Sequence, residues 1–566
     1  MKKIITLLFK IIVVGPHAQV IPNGSFIMKK QFCFLLIAMA ISQIIKGQTF
    51  ELVKDINTGV SNSYPRELVE FDNKLYFQAA DSNGKELWVT DGSNAGTQMV
   101  KDINSVSDSN PFGFTVYNGK IYFAADNGIN GYQLWSSDGT SSGTQIVYDV
   151  FPKNLFVYNN LLFFTSEMGW YVDLWSTDGT SVGTHKIKTI CFSNLTQFQF
   201  TEYNGKVYFQ TRDTTVGVGT ELWTTDGTTI GTYLFKDINP TGNGSPFNFT
   251  KFNGKLYFIA DDGLTGSQLW LSDGTSLGTQ RITNYSNSGI TNAARYVQML
   301  LYGGKLYFAA SDDSLYNQEL WQSDGTASGA HLVKEINPSG ASFPNNFIEI
   351  NGKMFFQAND GTNGSELWIT DGTPLGTKLI KDINTLIPDS FNSSFPQCMI
   401  SYNSKLYCQV SIPADAGYEL CESNGSDTGT LIIHPSGLTG FNPMGALAPR
   451  NFKVFNGSLY MSANFGSGYE LWKLTTTPSS VLEQDILQAT KISPNPASNT
   501  VTISIDESMI NSTATVTDVT GRGIINYKLE MINTPVQTGG LANGIYLVTI
   551  TGTGGGSATK KLIISK

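Results

Sequence analysis

The chain is poor in charged residues, histidine and cysteine, and these shortages exclude several classes of function. Only 15% of its 566 residues are charged, and the net charge is −9. Nucleic-acid binding requires a basic surface, which this composition does not provide. Four histidines and five cysteines form no metal-spaced cluster, and the sequence has neither a nucleophile elbow nor a phosphate-binding loop. We therefore predict no catalytic residues, no metal ligands and no cofactor, with structural calcium as the open alternative.

The first 47 residues have the composition of an export signal. They contain six lysines and no acidic residue, and Met28-Lys29-Lys30 precedes an apolar run from Phe32 to Ile45. This run is shorter than the ~20 residues that span a bilayer. We predict that residues 1–47 comprise an upstream extension and a signal peptide starting at Met28. The mature chain would have 31 basic and 46 acidic residues, a net charge of −15, and no transmembrane segment.

One sequence pattern recurs along most of the chain. A representative copy contains Lys255-Leu-Tyr-Phe258, then Leu269-Trp270, then Asp273-Gly-Thr275. Cys421 replaces the tryptophan in the eighth copy, and the other eight copies have Trp88, Trp135, Trp175, Trp223, Trp270, Trp321, Trp368 and Trp472. Self-similarity at a spacing of 40 to 53 residues predicts a solenoid or a propeller.

Each copy carries the signals of four short strands. Asn-Gly pairs such as Asn118-Gly119 supply the positive φ angles of a tight hairpin. The segment from Phe50 to Asn57 matches a fourth strand, whereas the ninth copy ends after Leu474 without one. We predict an all-β fold: a single β-propeller over residues 48–475, closed by its first strand, and then a small β-sandwich. Nine four-stranded blades are favoured, and eight is the alternative.

The repeats resemble a bacterial family with the signature Glu-Leu-Trp-x-x-Asp-Gly-Thr. The signature is complete at Glu221–Thr228, Glu319–Thr326 and Glu366–Thr373, and nearly complete at Glu86–Ser93. The strand order also resembles that of kelch-type propellers. The resemblance implies the propeller fold, and no activity comes with it.

Two kinds of loop vary in length between copies: those joining the second to the third strand, and those joining one blade to the next. In a meander both kinds lie on the same face of the ring. Loops on a rigid scaffold are common binding sites, so we expect this face to contact a ligand. The sequence does not identify the binding residues.

The residue two positions before the tryptophan is acidic or an amide in every copy. One interpretation is a ring of carboxylates for cations. The favoured one is a buried hydrogen-bond partner, because glutamine is accepted twice and a buried polar group needs a partner. The nine residues are Glu86, Gln133, Asp173, Glu221, Gln268, Glu319, Glu366, Glu419 and Glu470.

Two cysteines stand together where other copies have an aromatic pair. The second strand ends in phenylalanine in seven copies, and the third strand carries the tryptophan. In the eighth copy these positions are Cys408 and Cys421. If phenylalanine and tryptophan face each other, the two thiols do so as well. We predict a disulfide between them, as an exported protein permits, with two free buried thiols as the alternative.

A polar linker, residues 476–484, leads to a different domain over residues 485–566. Its blocks are Pro494-Asn495-Pro496, Gly544-Ile-Tyr546 and Lys560-Lys561. They resemble the type A sorting domain of the type IX secretion system of Bacteroidota. The resemblance implies that these residues form a sorting signal for the type IX machinery. It also implies passage across the outer membrane, followed by release or surface attachment.

Together these features predict a secreted or cell-surface propeller. Its expected role is adhesion or scaffolding through a surface glycan or a protein ligand, without catalysis. The alternative is a carbohydrate-active hydrolase or lyase on the same scaffold.

Overall fold

The structure is a computed structural model. It describes residues 48–59, 61–168, 171–192, 199–212, 217–284, 299–311, 317–385, 392–412, 417–433, 435, 449–476, 490–506, 509–518, 523–551 and 557–566. The chain divides into two compact units, one formed by Thr49–Thr476 and the other containing Thr477–Lys566. Both consist of β-strands. A turn of 3-10 helix at Ala327–Gly329 is the helical element that lies entirely within the described residues.

The first unit contains nine four-stranded antiparallel sheets, the blades. Blade 1 contains β2 (Arg66–Phe71), β3 (Lys74–Asp81), β4 (Gly84–Thr90) and β5 (Gln98–Lys101), and blade 2 contains β6 (Phe112–Tyr117), β7 (Lys120–Asp126), β8 (Tyr132–Ser137) and β9 (Gln145–Tyr148). Blade 3 contains β10 (Lys153–Tyr158), β11 (Leu161–Met168), β12 (Tyr171–Thr177) and β13 (His185–Phe192), and blade 4 contains β14 (Thr201–Tyr203), β15 (Lys206–Thr211), β16 (Glu221–Thr225) and β17 (Tyr233–Lys236). Blade 5 contains β18 (Phe247–Phe252), β19 (Lys255–Asp261), β20 (Ser267–Ser272) and β21 (Gln280–Arg281), and blade 6 contains β22 (Leu300–Tyr302), β23 (Lys305–Ala310), β24 (Glu319–Ser323) and β25 (His331–Lys334). Blade 7 contains β26 (Asn345–Ile350), β27 (Lys353–Asn359), β28 (Ser365–Thr370) and β29 (Lys378–Lys381), and blade 8 contains β30 (Gln397–Tyr402), β31 (Lys405–Ile412), β32 (Gly417–Ser423) and β33 (Thr430–Ile433). Blade 9 contains β34 (Arg450–Phe455), β35 (Ser458–Asn464), β36 (Tyr469–Thr476) and the first strand of the chain, β1 (Gln48–Lys54).

The blades form a closed propeller. At eight of the nine junctions the first strand of a blade contacts the first strand of the next, and β2 of blade 1 contacts both β6 of blade 2 and β34 of blade 9. Blades 3 and 4 pack through Tyr158 and Phe209. Because β1 pairs with β36, the start of the chain completes the last blade. The predicted closure and the nine-blade count are both seen. The first strands therefore surround the axis of the ring, and the channel along that axis lies between them.

Turn chemistry explains why each repeat folds into a blade. Asn118 and Gly119 have φ angles of 45° and 70°, as the two-residue hairpin between β6 and β7 requires. In the Asp-Gly-Thr turn of blade 5, Asp273 Oδ1 accepts hydrogen bonds from the Thr275 amide at 2.8 Å and from its hydroxyl at 2.7 Å. Thr275 Oγ1 in turn accepts from the Gly278 amide at 2.9 Å. These aspartates therefore build turns.

Packing between blades buries the apolar side chains. One cluster combines Leu269 of blade 5 with Phe308 and Trp321 of blade 6. The predicted cross-strand pairing is confirmed at Phe77–Trp88, Phe123–Trp135, Phe164–Trp175, Phe209–Trp223, Phe258–Trp270, Phe308–Trp321 and Phe356–Trp368. Cys408 and Cys421 are likewise directly opposite and buried. They are present as thiols, so the disulfide itself stays a prediction.

The second unit is a small β-sandwich. One sheet contains β37 (Lys491–Ser493), β38 (Thr500–Ser504) and β41 (Asn533–Gln537), and the other contains β39 (Ser512–Asp518), β40 (Gly523–Leu529), β42 (Gly544–Thr551) and β43 (Ser557–Ile564). Val501 of the first sheet shares a core with Val516, Val548 and Leu562 of the second. In the part of the chain that is described, no helix is long and apolar enough to cross a membrane.

Candidate functional site at the channel mouth

A buried proline precedes the first strand of seven blades, and the residues around it surround one end of the channel. These prolines are Pro65, Pro111, Pro152, Pro246, Pro344, Pro396 and Pro449. Since the first strands line the axis, the three residues after each proline, and the residue before it where this is described, lie at the entrance on the variable-loop face. We call this set of residues the channel mouth.

Buried glutamates of the third strands hold the chain in place just before the mouth. Glu366 accepts hydrogen bonds from the Ile383 amide at 3.0 Å, the Ser394 amide at 2.7 Å and the Ser394 hydroxyl at 2.6 Å. Glu86 binds Ile103 and Ser109 in the same way. Each glutamate therefore fixes the connection between its own blade and the next.

Burial raises the pKa of these carboxyl groups. Glu366 is fully buried, and desolvation raises its pKa to about 7, although its hydrogen bonds act in the opposite direction. The pKa values of Glu86, Glu221 and Glu470 are also raised to about 7, with burial as the largest cause. Side chains that are buried and bonded to the backbone do not face a ligand. The hydrogen-bond interpretation of this position therefore fits the structure better than a ring of cation ligands.

Aromatic residues stand before the proline in four blades: Tyr64, Phe151, Phe343 and Phe395. Tyr64, Phe343 and Phe395 have φ angles of 46°, 47° and 44°. A positive φ is strained for such residues, and a following proline further restricts the backbone. Phe343 and Phe395 are each 50% exposed. The fold thus holds large apolar side chains in solvent on a strained backbone.

A second aromatic group lies where blade 9 meets blade 1. Tyr64 stacks on Tyr469 with ring centroids 5.3 Å apart, and the Arg450 guanidinium lies 5.9 Å and 5.1 Å from their rings. Arg66 occupies in blade 1 the position that Arg450 occupies in blade 9. Arg66 and Arg450 lie in the first and ninth copies, which closure of the ring makes neighbours.

Two positions after the proline, the first strand bulges in seven blades. The residue there has a positive φ in every one of them: Glu67, Gly113, Asn154, Asn248, Asn346, Cys398 and Asn451. Glycine and asparagine tolerate this conformation, whereas other residues rarely adopt it. Glu67 and Cys398 are therefore exceptions that local backbone preference does not explain.

Glu67 lines a cavity of about 280 Å³ at the inner edges of blades 9, 1 and 2. The other lining residues are Leu68, Val69, Phe114, Asn451 and Phe452. Glu67 Oε2 accepts a hydrogen bond from the Gly113 amide at 3.2 Å, and Asn451 Nδ2 donates to the Pro65 carbonyl at 3.0 Å. The cavity therefore combines apolar walls with a carboxylate and an amide.

Parts of the predicted variable face lie outside the described residues, including 193–198, 285–298, 386–391 and 436–448. Within the described ranges, no group of three or more His, Cys, Asp or Glu side chains is arranged to hold a metal ion. The structure contains no ions, so the calcium expectation is untested.

The residues predicted to form the sorting signal come together within the second unit. Asn495 Nδ2 donates to the Lys561 carbonyl at 2.8 Å, and Asn495 Oδ1 accepts from the Ile563 amide at 2.9 Å. Gly544 and Tyr546 lie on β42, which pairs with β43, the strand that carries Lys560 and Lys561. Lys560 Nζ donates to the Thr490 carbonyl at 2.6 Å. Pro494 and Pro496 flank Asn495.

Comparison with known proteins identifies the second unit. Residues 491–565 match the family model described as the secretion system C-terminal sorting domain. The chain therefore carries a type IX sorting domain, which interacts with that secretion machinery. The protein is secreted or attached to the outer surface of the outer membrane.

Solved structures give distant matches. PorZ, a surface component of the type IX secretion system of Porphyromonas gingivalis, is 12% identical, with 89% of this chain and 82% of that chain covered and a TM-score of 0.25. The extracellular domain of BT4673 from B. thetaiotaomicron is 12% identical, with 88% and 81% covered and a TM-score of 0.28. The acylaminoacyl peptidase of Pyrococcus horikoshii is 13% identical, with 62% and 57% covered and a TM-score of 0.28. None of the curated proteins compared with the chain matches it.

Proposed function

We propose that the propeller is a non-enzymatic binding module that recognises a glycan at the channel mouth once the chain has been exported. One observation carries this proposal: Phe343 and Phe395 occupy the same repeat position in adjacent blades, are half exposed, and adopt a strained backbone conformation. Strain that persists in a native structure is concentrated at functional sites.

The chemistry of the mouth suits a saccharide. Flat aromatic faces pack against the C–H groups of a sugar ring, while polar groups beside them bind its hydroxyls. Blades 2 and 5 place Asn110 and Ser245 at the position that is aromatic in blades 7 and 8. Aromatic side chains in blades 1, 3, 7 and 8 and polar side chains in blades 2 and 5 thus share the entrance, which suits a ligand with both apolar and hydroxyl-rich faces.

The proposal is tested with the purified full chain on a glycan array, with and without calcium. We expect the double variant Phe343→Ala/Phe395→Ala to lose at least about tenfold in affinity for any glycan retained by the wild type. The matched control is Leu277→Ala/Leu375→Ala, which removes two side chains that are 97% and 95% exposed in the Asp-Gly-Thr turns at the other end of the blades. If the phenylalanine and leucine double variants lose the same amount of glycan affinity, the proposal is contradicted.

The same assay separates binding from cleavage. Mass analysis of the bound glycan should show an unchanged chain length. Shortened products that disappear on replacement of a single carboxylate would favour the hydrolase or lyase alternative. A blank array would contradict glycan recognition and direct attention to a protein ligand.

A further inference from the structure

We infer that the cavity beside Glu67 binds the protonated amine of an amino sugar, and this inference rests on the proposed glycan function. The cavity lies between the first strands of blades 9, 1 and 2, at the point where the ring closes. Its volume of about 280 Å³ is enough for one sugar ring. It is a place for a single residue of a glycan.

The repeat itself shows that Glu67 is unusual. Five of the other six bulge positions hold asparagine or glycine, which fit a positive φ without strain. Glu67 has a φ of 61° there, and its side chain lines the cavity. A carboxylate at this position weakens the fold locally, so its presence is explained by an interaction that asparagine does not provide.

The hydrogen bonds at the cavity specify what a ligand must supply. Glu67 Oε2 already accepts from the Gly113 amide, which leaves Oε1 for a ligand. Asn451 uses its Nδ2 on the Pro65 carbonyl, which leaves its Oδ1. Both remaining groups are acceptors, so the ligand must be a donor. A protonated amine is the strongest donor to a carboxylate, and sugar hydroxyls suit the amide oxygen.

The apolar walls of the cavity fit the same ligand. Phe114 and Phe452 provide aromatic surface for the apolar face of a sugar ring. Arg450, the residue before Asn451, has its guanidinium against the rings of Tyr64 and Tyr469. The amino sugar is thus held by a charged hydrogen bond at Glu67 and by packing on both sides.

Binding to the full chain is measured by calorimetry with glucosamine, N-acetylglucosamine, glucose and lysine methyl ester. We expect glucosamine to bind at least about tenfold more tightly than the two neutral sugars, the ratio for one charged hydrogen bond. Glu67→Gln and Glu67→Asn should each reduce glucosamine affinity by a similar factor. Higher salt should weaken binding of glucosamine to the wild type.

Cys398→Asn is the matched control, because it replaces the other exceptional residue at the equivalent bulge position. Glu67→Asn and Cys398→Asn should both raise the thermal unfolding midpoint, since asparagine tolerates a positive φ. Only Glu67→Asn should reduce glucosamine affinity. This combination of higher stability and lost binding separates a ligand-binding role from a structural one.

Two results would overturn the inference. One is an equal affinity of the wild type and the Glu67 variants for glucosamine, and the other is binding of lysine methyl ester without glucosamine. If the array shows glycans bound through Phe343 and Phe395 but without a preference for free amines, this inference fails and the proposed function stands. If no glycan binds at all, the proposed function fails as well.

Discussion

Replacement of Glu366 by glutamine should reduce the dependence of the propeller's stability on pH. Glu366 is buried, and its pKa lies at about 7 in the folded chain against an ordinary value of 4.5. Between these two pH values the folded state keeps a proton that the unfolded state has released. The stability that this protonated carboxyl contributes is therefore complete below pH 4.5 and is lost as the pH rises through 7.

The magnitude follows from the difference between the two pKa values. It corresponds to about 3 kcal/mol for one carboxyl. A propeller of more than 400 residues has an unfolding entropy near 0.9 kcal/mol/K, so about 3 kcal/mol shifts its melting temperature by about 3 °C. Glutamine does not titrate in this range, but its Nε2 cannot accept a hydrogen bond, and both oxygens of Glu366 accept backbone amides. The variant should therefore melt below the wild type at about pH 5, and its melting temperature should fall about 3 °C less between about pH 5 and about pH 8.

The assay is scanning calorimetry of the full chain at both pH values. The reciprocal variant is Gln268→Glu, which places a carboxyl in blade 5 where the native amide donates to the Thr265 carbonyl at 2.9 Å. A carboxylate cannot make that bond, so Gln268→Glu should steepen the loss of stability with pH. Identical pH profiles for the wild type and Glu366→Gln would refute the reasoning. They would show that the three hydrogen bonds to Glu366 outweigh its burial and keep it ionised.

Two further predictions concern the blades. Intact-mass analysis of the exported protein should show Cys408 and Cys421 joined by a disulfide, and alkylation of both without prior reduction would exclude it. Gly92→Ala should cost about 3 kcal/mol, because Gly92 has a φ of 94° and an added Cβ would lie 2.3 Å from Tyr460 Oη of blade 9. Gly254→Ala, where φ is 69° and no atom lies within 4 Å, should cost only about 1 kcal/mol. If urea unfolding shows that both glycine variants lose the same free energy of unfolding, Tyr460 does not restrict the turn at Gly92.

The blades were predictable because each repeat specifies its own turns and its own cross-strand contacts. An Asn-Gly pair such as Asn253-Gly254 forms a tight hairpin turn in each copy that contains it, since both residues accept a positive φ. The pairing of Phe258 with Trp270 recurs in six other blades even though the loop between the two strands varies in length, because it depends on where the residues lie within the strands. Closure by Gln48–Lys54 was predictable for a similar reason, because the ninth copy lacks a fourth strand and the segment before the first copy matches one.

The contacts at the channel mouth were not predictable, because closure of the ring identifies neighbouring blades but not the side chains that meet between them. Tyr64 and Tyr469 are separated by nearly the whole propeller in sequence, yet their rings stack. The cavity likewise takes Phe452, Glu67 and Phe114 from blades 9, 1 and 2. The one signal in the sequence was the departure of Glu67 and Cys398 from the residue that other copies have. Its meaning depends on the positive φ, which sequence alone does not reveal.

The repeats allow structural and functional positions to be separated within one molecule. Some positions serve the fold, because every copy needs a buried polar side chain there. Glu366 is an example, since it accepts hydrogen bonds from Ile383 and Ser394 in the connection to the next blade. Where the backbone is constant and the residue changes, as from Asn346 to Glu67, the fold does not require the change. Exposed Phe395 follows the same rule, since Ser245 occupies the equivalent position in blade 5. These departures concentrate at one end of the channel, which is why we place recognition there and assign the Asp-Gly-Thr end to the scaffold.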